Sequence, residues 1–181
     1  MQDGVWHTLS SYLIKVDEVR DTRHYVENAS MAIFDFTGKV EVAVTYNLGE
    51  VQTAKVRPLS YDIPFQIDGN TVTFTLEHPR NLSVEVNGDI FHNFHLFTGS
   101  PERTIPDKDN PEVIYFGPGI HTVKNGELRV PSGKTVYLAG GAVLMGRVLI
   151  ENVHDVKLLG RGIIDHSIKG GIRIANSRDV Y

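Results

Sequence analysis

From about residue 112 the chain becomes a repeat of short apolar strands punctuated by glycine, and few folds accommodate that pattern. Leu128, Val130, Val136 and Leu138 match Val148, Ile150, Val156 and Leu158 at an offset of 20 residues. Ile150, Asn152, Asp155 and Val156 match Ile174, Asn176, Asp179 and Val180 at an offset of 24. Strands and turns repeating at this period, with no helical segment, predict one coil of a parallel β-solenoid per repeat. A leucine-rich repeat has a similar period, but its L-x-x-L-x-L spacing is missing. The matched asparagines and aspartates read as turn residues that tolerate left-handed backbone, with ligand duty as the alternative.

The preceding residues follow a period of two. Val40, Val42 and Val44 fall on one strand face, as do Val72, Phe74 and Leu76, and Leu82, Val84 and Val86. Further strands are expected at 12–16, 30–36, 53–57, 63–67 and 93–97. Asp68-Gly69-Asn70 and Asn87-Gly88 supply hairpin turns, because their central residues accept positive φ. Short antiparallel strands joined this way predict a β-sandwich over residues 1–98. Residues 99–111 carry prolines and no periodicity, and read as a linker. Residues 112–181 then open a parallel β-helix. The fold class expected is all-β.

A hydrophobic fraction of 41% and a charged fraction of 22% give the chain enough apolar surface for a core. The net charge of −4 supplies no basic face, so neither nucleic acid nor membrane is expected as a partner. There is no cysteine, which excludes disulfides and thiolate metal sites. No metal and no cofactor are expected. The opening MQDGVWHTLSSYLIKV has neither the charge and apolar run of a signal peptide nor a membrane span. The last repeat stops at Tyr181, where the previous one continues as Lys157-Leu158-Leu159. A coil left open exposes apolar surface and backbone. The expectation is therefore the front portion of a longer protein.

Asp165-His166 is the best carboxylate–imidazole pair, following G-R-G-I-I at a coil turn. It is a candidate acid/base pair or sugar contact, weighed against a simple turn residue. One carboxylate does not make an inverting pair. His92-x-x-His95 with Asp89 nearby suggests metal, but side chains three apart on a strand point to opposite faces. His121, after Gly-Pro-Gly-Ile, reads as packed or closing a turn. The aromatics Trp6, Tyr12, Tyr25, Phe34, Phe36, Tyr46, Tyr61, Phe65 and Phe74 include candidates for a sugar-stacking platform, but most fall on strand patterns and are expected in the core. Trp6 is the ring least constrained by any pattern and the candidate for stacking on a sugar. Asn28-Ala29-Ser30 and Asn81-Leu82-Ser83 match the N-glycosylation pattern. Gly140-Gly141 and Gly160-Arg161-Gly162 read as tight corners between coils, because no helix follows to make a phosphate loop.

Three strings together carry a family resemblance: VIYFGPGIHTV (113–123), GELRVPSGKTVYLAGGAVLMG (126–146) and LLGRGIID (158–165). With LSVEVNGDIFHNFHLFTGSPE (82–102), they resemble glycoside hydrolases of the right-handed parallel β-helix class. The polygalacturonase-like and dextranase/isopullulanase-like groups come nearest, and in the latter a β-sandwich precedes the helix. The resemblance covers roughly residues 40–181. It implies a polysaccharide substrate, pectic or α-glucan, cleaved with inversion by acidic residues, outside the cell or in the periplasm. The family's catalytic aspartates lie on central coils, after the matched segment. The polygalacturonase signature motifs Asn-Thr-Asp, Asp-Asp, Gly-His-Gly and Arg-Ile-Lys are missing here. No catalytic residue is therefore carried over, and the chain by itself is expected to be scaffold. The alternatives are a carbohydrate-binding or adhesive solenoid without chemistry, and part of a β-helix lyase using calcium and a basic residue.

Overall fold

A computed structural model describes the 181-residue chain except Gln2, Asp3, His166 and Lys169, with residues 18–20 described as backbone only. The described residues contain no α-helix and form two compact units, Met1–Pro101 and Glu102–Tyr181.

The first unit holds β1 (Tyr12–Arg20), β2 (Arg23–Asp35), β3 (Val40–Thr45), β4 (Ala54–Arg57), β5 (Phe65–Asp68), β6 (Thr71–Leu76), β7 (Asn81–Val86) and β8 (Asp89–Gly99). They make a five-stranded sheet, β1-β2-β8-β7-β4, and a three-stranded sheet, β3-β6-β5. All pairings are antiparallel except β2 with β8. Both sheets feed one apolar cluster: Ala32, Leu82, Val84 and Leu96 from the larger, Val40, Val42, Val72, Phe74 and Leu76 from the smaller. On β6 the buried Val72, Phe74 and Leu76 alternate with the threonines 71, 73 and 75, so the period of two sets which side meets the core. Each fully buried large apolar side chain contributes about 1.5–3 kcal/mol. Asn87 (φ 52°) and Gly88 (φ 75°) form the expected hairpin turn between β7 and β8.

Two expected strands were too short. Those at 12–16 and 30–36 belong to one hairpin, Tyr12–Arg20 against Arg23–Asp35. Its tip, Asp21-Thr22, takes positive φ at both residues (49° and 69°) without the Asn-Gly signature. Its outer half is exposed, so no apolar alternation marks it in the sequence.

The second unit holds β9 (Val113–Phe116), β10 (Gly119–Arg129), β11 (Thr135–Leu138), β12 (Ala142–Glu151), β13 (His154–Gly160), β14 (Ile163–Asp165), β15 (Ile172–Ala175) and β16 (Arg178–Val180). Every pairing is parallel. One sheet runs β9-β11-β13-β16; in the other, β12 pairs β10 on one side, and β14 and β15 pair with successive parts of it on the other. The result is a β-helix-like stack of coils. Val130, Val136, Leu138, Ala142, Leu144, Val148, Ile150 and Val156 fill its interior. Asn152, Asp155, Asn176 and Asp179 all sit at left-handed turns, with φ of 56°, 54°, 48° and 53°.

The coil register corrects the repeat. Leu128 pairs with Val148 at the offset of 20, and Ile150 with Ile174 at 24. Val136, however, lies beside Leu158 rather than Val156, an offset of 22. The turn after Ile150 is two residues longer than the one after Val130. A slip of two keeps each side chain on its face, so the apolar pattern looks the same in either register.

Candidate functional site

Asp165 ends β14, opposite Met145 of β12, and is half-buried. Its Oδ1 accepts the backbone N–H of Ser167 at 2.8 Å, the geometry of an Asx turn. His166 lies outside the described residues. Trp6 lies outside the strands of the first unit and is 56% exposed.

His92 and His95 both lie on β8, and they do different things. His92 Nδ1 faces Asp89 Oδ2 at 2.7 Å, and Nε2 faces Glu27 Oε2 at 3.2 Å. The hydrogen bond to Asp89, with the charges of Asp89 and Glu27, outweighs burial and raises the imidazole above its ordinary 6.5. Burial pushes Asp89 up, but the backbone N–H groups of Phe91 and His92 and the imidazole pull it below its ordinary value, net. His95 turns away and lies beside Phe97, ring centroids 6.4 Å apart and planes within 16°. Among the described residues, no group of three or more His, Asp or Glu side chains is arranged to hold a metal.

His121 closes a turn, with Nε2 2.7 Å from the carbonyl oxygen of Gly117 and its ring edge-on to Phe116. In the same unit, Glu127 and Glu151 both face Arg129, at 3.4 and 3.5 Å, and Arg173 Nε reaches Glu151 at 2.8 Å. This ladder runs along the stacked strands and ties coil to coil. Tyr137 lies against Tyr115 and donates its phenol to Glu102 at 2.6 Å. Burial, followed by that hydrogen bond, pushes the phenol above its usual range.

An open concavity lies in the first unit, on the outer side of the five-stranded sheet. Leu82, Val84 and Leu96 point into the core, so Asn81, Ser83, His95 and Phe97 point the other way. Asn81 pairs with Phe97, Ser83 with His95, and Arg57 of β4 with Ser83. These side chains line an open groove of about 520 Å³. A second hollow of about 360 Å³, formed by Tyr61, His78, Arg80 and Thr98, meets it at Asn81. The Arg80 guanidinium lies 4.2 Å over the centroid of Tyr61. The Thr98 hydroxyl holds the backbone of Arg80 by accepting its N–H and donating to its carbonyl. Further along the same face, Glu85 is 2% exposed and takes Arg57 Nε at 2.7 Å and Lys55 Nζ at 3.1 Å.

Sequence reasoning did not find this groove. Tyr61 was expected in the core and is 40% exposed; Tyr25 and Phe65 are also exposed rather than buried. The signal was present in Asn93-Phe94-His95-Leu96-Phe97. With Leu96 inward, His95 and Phe97 fall out of phase with the core and face outward.

No protein-family model and no curated protein sequence matches the chain. Among solved structures, the fold is similar to that of Dex49A from Penicillium minioluteum, with a TM-score of 0.54 and 18% identity. The likeness covers 75% of this chain and 34% of that one, so the chain spans about a third of the length of the structure it matches.

Proposed function

We propose that this chain is the N-terminal scaffold portion of a polysaccharide-degrading glycoside hydrolase, an inverting enzyme acting outside the cell or in the periplasm on a pectic or α-glucan polymer. The observation that carries the reading is the parallel coil stack, taken with the chain's likeness in fold to Dex49A and the resemblance of its motifs to β-helix glycoside hydrolases. The chain spans only 34% of that protein. The first unit, with two sheets on one core, is read as the β-sandwich that precedes a right-handed helix in the family the sequence resembles.

Asp165 Oδ1 accepts the Ser167 N–H in its turn, and an inverting reaction needs two carboxyl groups, one to protonate the leaving oxygen and one to activate water. The Glu127–Arg129–Glu151–Arg173 ladder uses its glutamates as ion-pair partners between coils. Ile172 and Ile174 on β15 are 51% and 55% exposed, a surface that a further coil would cover. The purified chain is expected to release no reducing ends from pectic or α-glucan polymers. Release above the buffer control, abolished by Asp165→Asn, would overturn the scaffold role.

A further inference from the structure

We propose that the groove over β7 and β8 binds an acidic oligosaccharide, with sugar faces on Phe97 and His95 and sugar carboxylates toward Arg57 and Arg80. The site is independent of the hydrolase reading, since binding there requires no chemistry.

Shape comes first. The two hollows share Asn81 in their linings, and each is open rather than closed. The larger is within the usual range for ligand sites, about 300–1,000 Å³. An open trough suits a chain that enters and leaves at its ends.

The floor comes next. His95 and Phe97 are successive outward residues of one strand, and their nearly parallel rings lie 6.4 Å apart. Phe97 is 39% exposed. An aromatic ring kept at the surface beside polar groups offers a partner for one apolar face. The C–H face of a pyranose is such a partner. Cross-strand from these rings, Ser83 and Asn81 offer a hydroxyl and an amide to the sugar hydroxyls.

Charge selects the class of sugar. Arg57, Arg80, His78 and His95 line the trough, and no carboxylate is among the residues that line it, on a chain whose net charge is −4. Further along the same face, the buried Glu85 pairs with both Arg57 and Lys55, two cations to one charge. A cationic concavity on an otherwise acidic protein complements an anion. Guanidinium groups suit carboxylates in particular, because they offer two parallel N–H donors. A single-stranded nucleic acid also combines rings with negative charge. The net negative charge of the chain argues against it.

The test is calorimetric titration of the full chain at one fixed low salt concentration. The probes are a galacturonic acid hexamer, an uncharged glucose hexamer and a single-stranded hexanucleotide. Saturable binding of the uronate is expected, at least tenfold tighter than either other probe. Phe97→Ala and Arg80→Gln are each expected to weaken it at least tenfold without changing the melting temperature. If Phe97→Ala does not fold, Arg80→Gln and His95→Gln decide. The proposal falls if the uronate does not bind saturably, if the glucan binds equally well, if the nucleotide binds more tightly, or if the folded variants bind as the parent does.

Discussion

At Gly160 one coil approaches the next more closely than a side chain allows. A Cβ there would lie 2.0 Å from the carbonyl oxygen of Leu138, and φ is +100°, where L-residues are strained. The close approach lets Leu138 accept the N–H groups of both Arg161 and Gly162. Gly160→Ala is expected to destabilise the chain by about 3 kcal/mol or more in urea unfolding, since neighbouring backbone must shift. Gly171, where an added Cβ would meet nothing within 4 Å, is the control, and its alanine variant should stay within about 0.5 kcal/mol. His92 gives a second residue-scale test. Its raised value means that its contribution to stability is complete below 6.5 and is lost as pH rises through the folded-state value. Imidazole proton NMR should show His92 titrating above 6.5, and Asp89→Asn should bring the midpoint down. An unchanged midpoint in that variant would show that Asp89 does not set it.

The element that concentrates the first unit's polar energetics is β7, through Glu85. Burial pushes this carboxyl up, but hydrogen bonds and charge from Arg57 and Lys55 outweigh it, so the group is lowered below its ordinary 4.5. Its contribution is therefore present above 4.5 and lost as pH falls through the lower folded-state value. Glu85→Gln is expected to cost about 1–3 kcal/mol at neutral pH, because charged hydrogen bonds to two cations become neutral ones. The variant's stability should also vary less with pH in that acid window. A variant with the parent's stability and acid response would remove Glu85 from the account. Much at this scale was legible in the sequence. The alternations of β3, β6 and β7, the Asn87-Gly88 turn and the stacked coils follow from side-chain period and turn chemistry. What was not legible has separate physical causes. The β1–β2 hairpin is exposed toward its tip, so burial writes no pattern on it. The Val136–Leu158 register differs from the expected one by two residues, which the alternation hides. The groove arises only when β4, β7 and β8 lie side by side, although the outward phase of Phe97 was there to be read.

At the scale of the molecule, two all-β units are joined in one chain, the second is a β-helix-like stack, and the fold over 75% of the chain is similar to part of Dex49A. Fold alone does not assign a reaction. The proposed scaffold reading rests on the likeness in fold to part of a longer protein. The most direct measurement is the coding sequence beyond Tyr181 in the natural gene. The account predicts an open reading frame that continues into further coils carrying two or three clustered aspartates. A stop codon immediately after Tyr181 would contradict it.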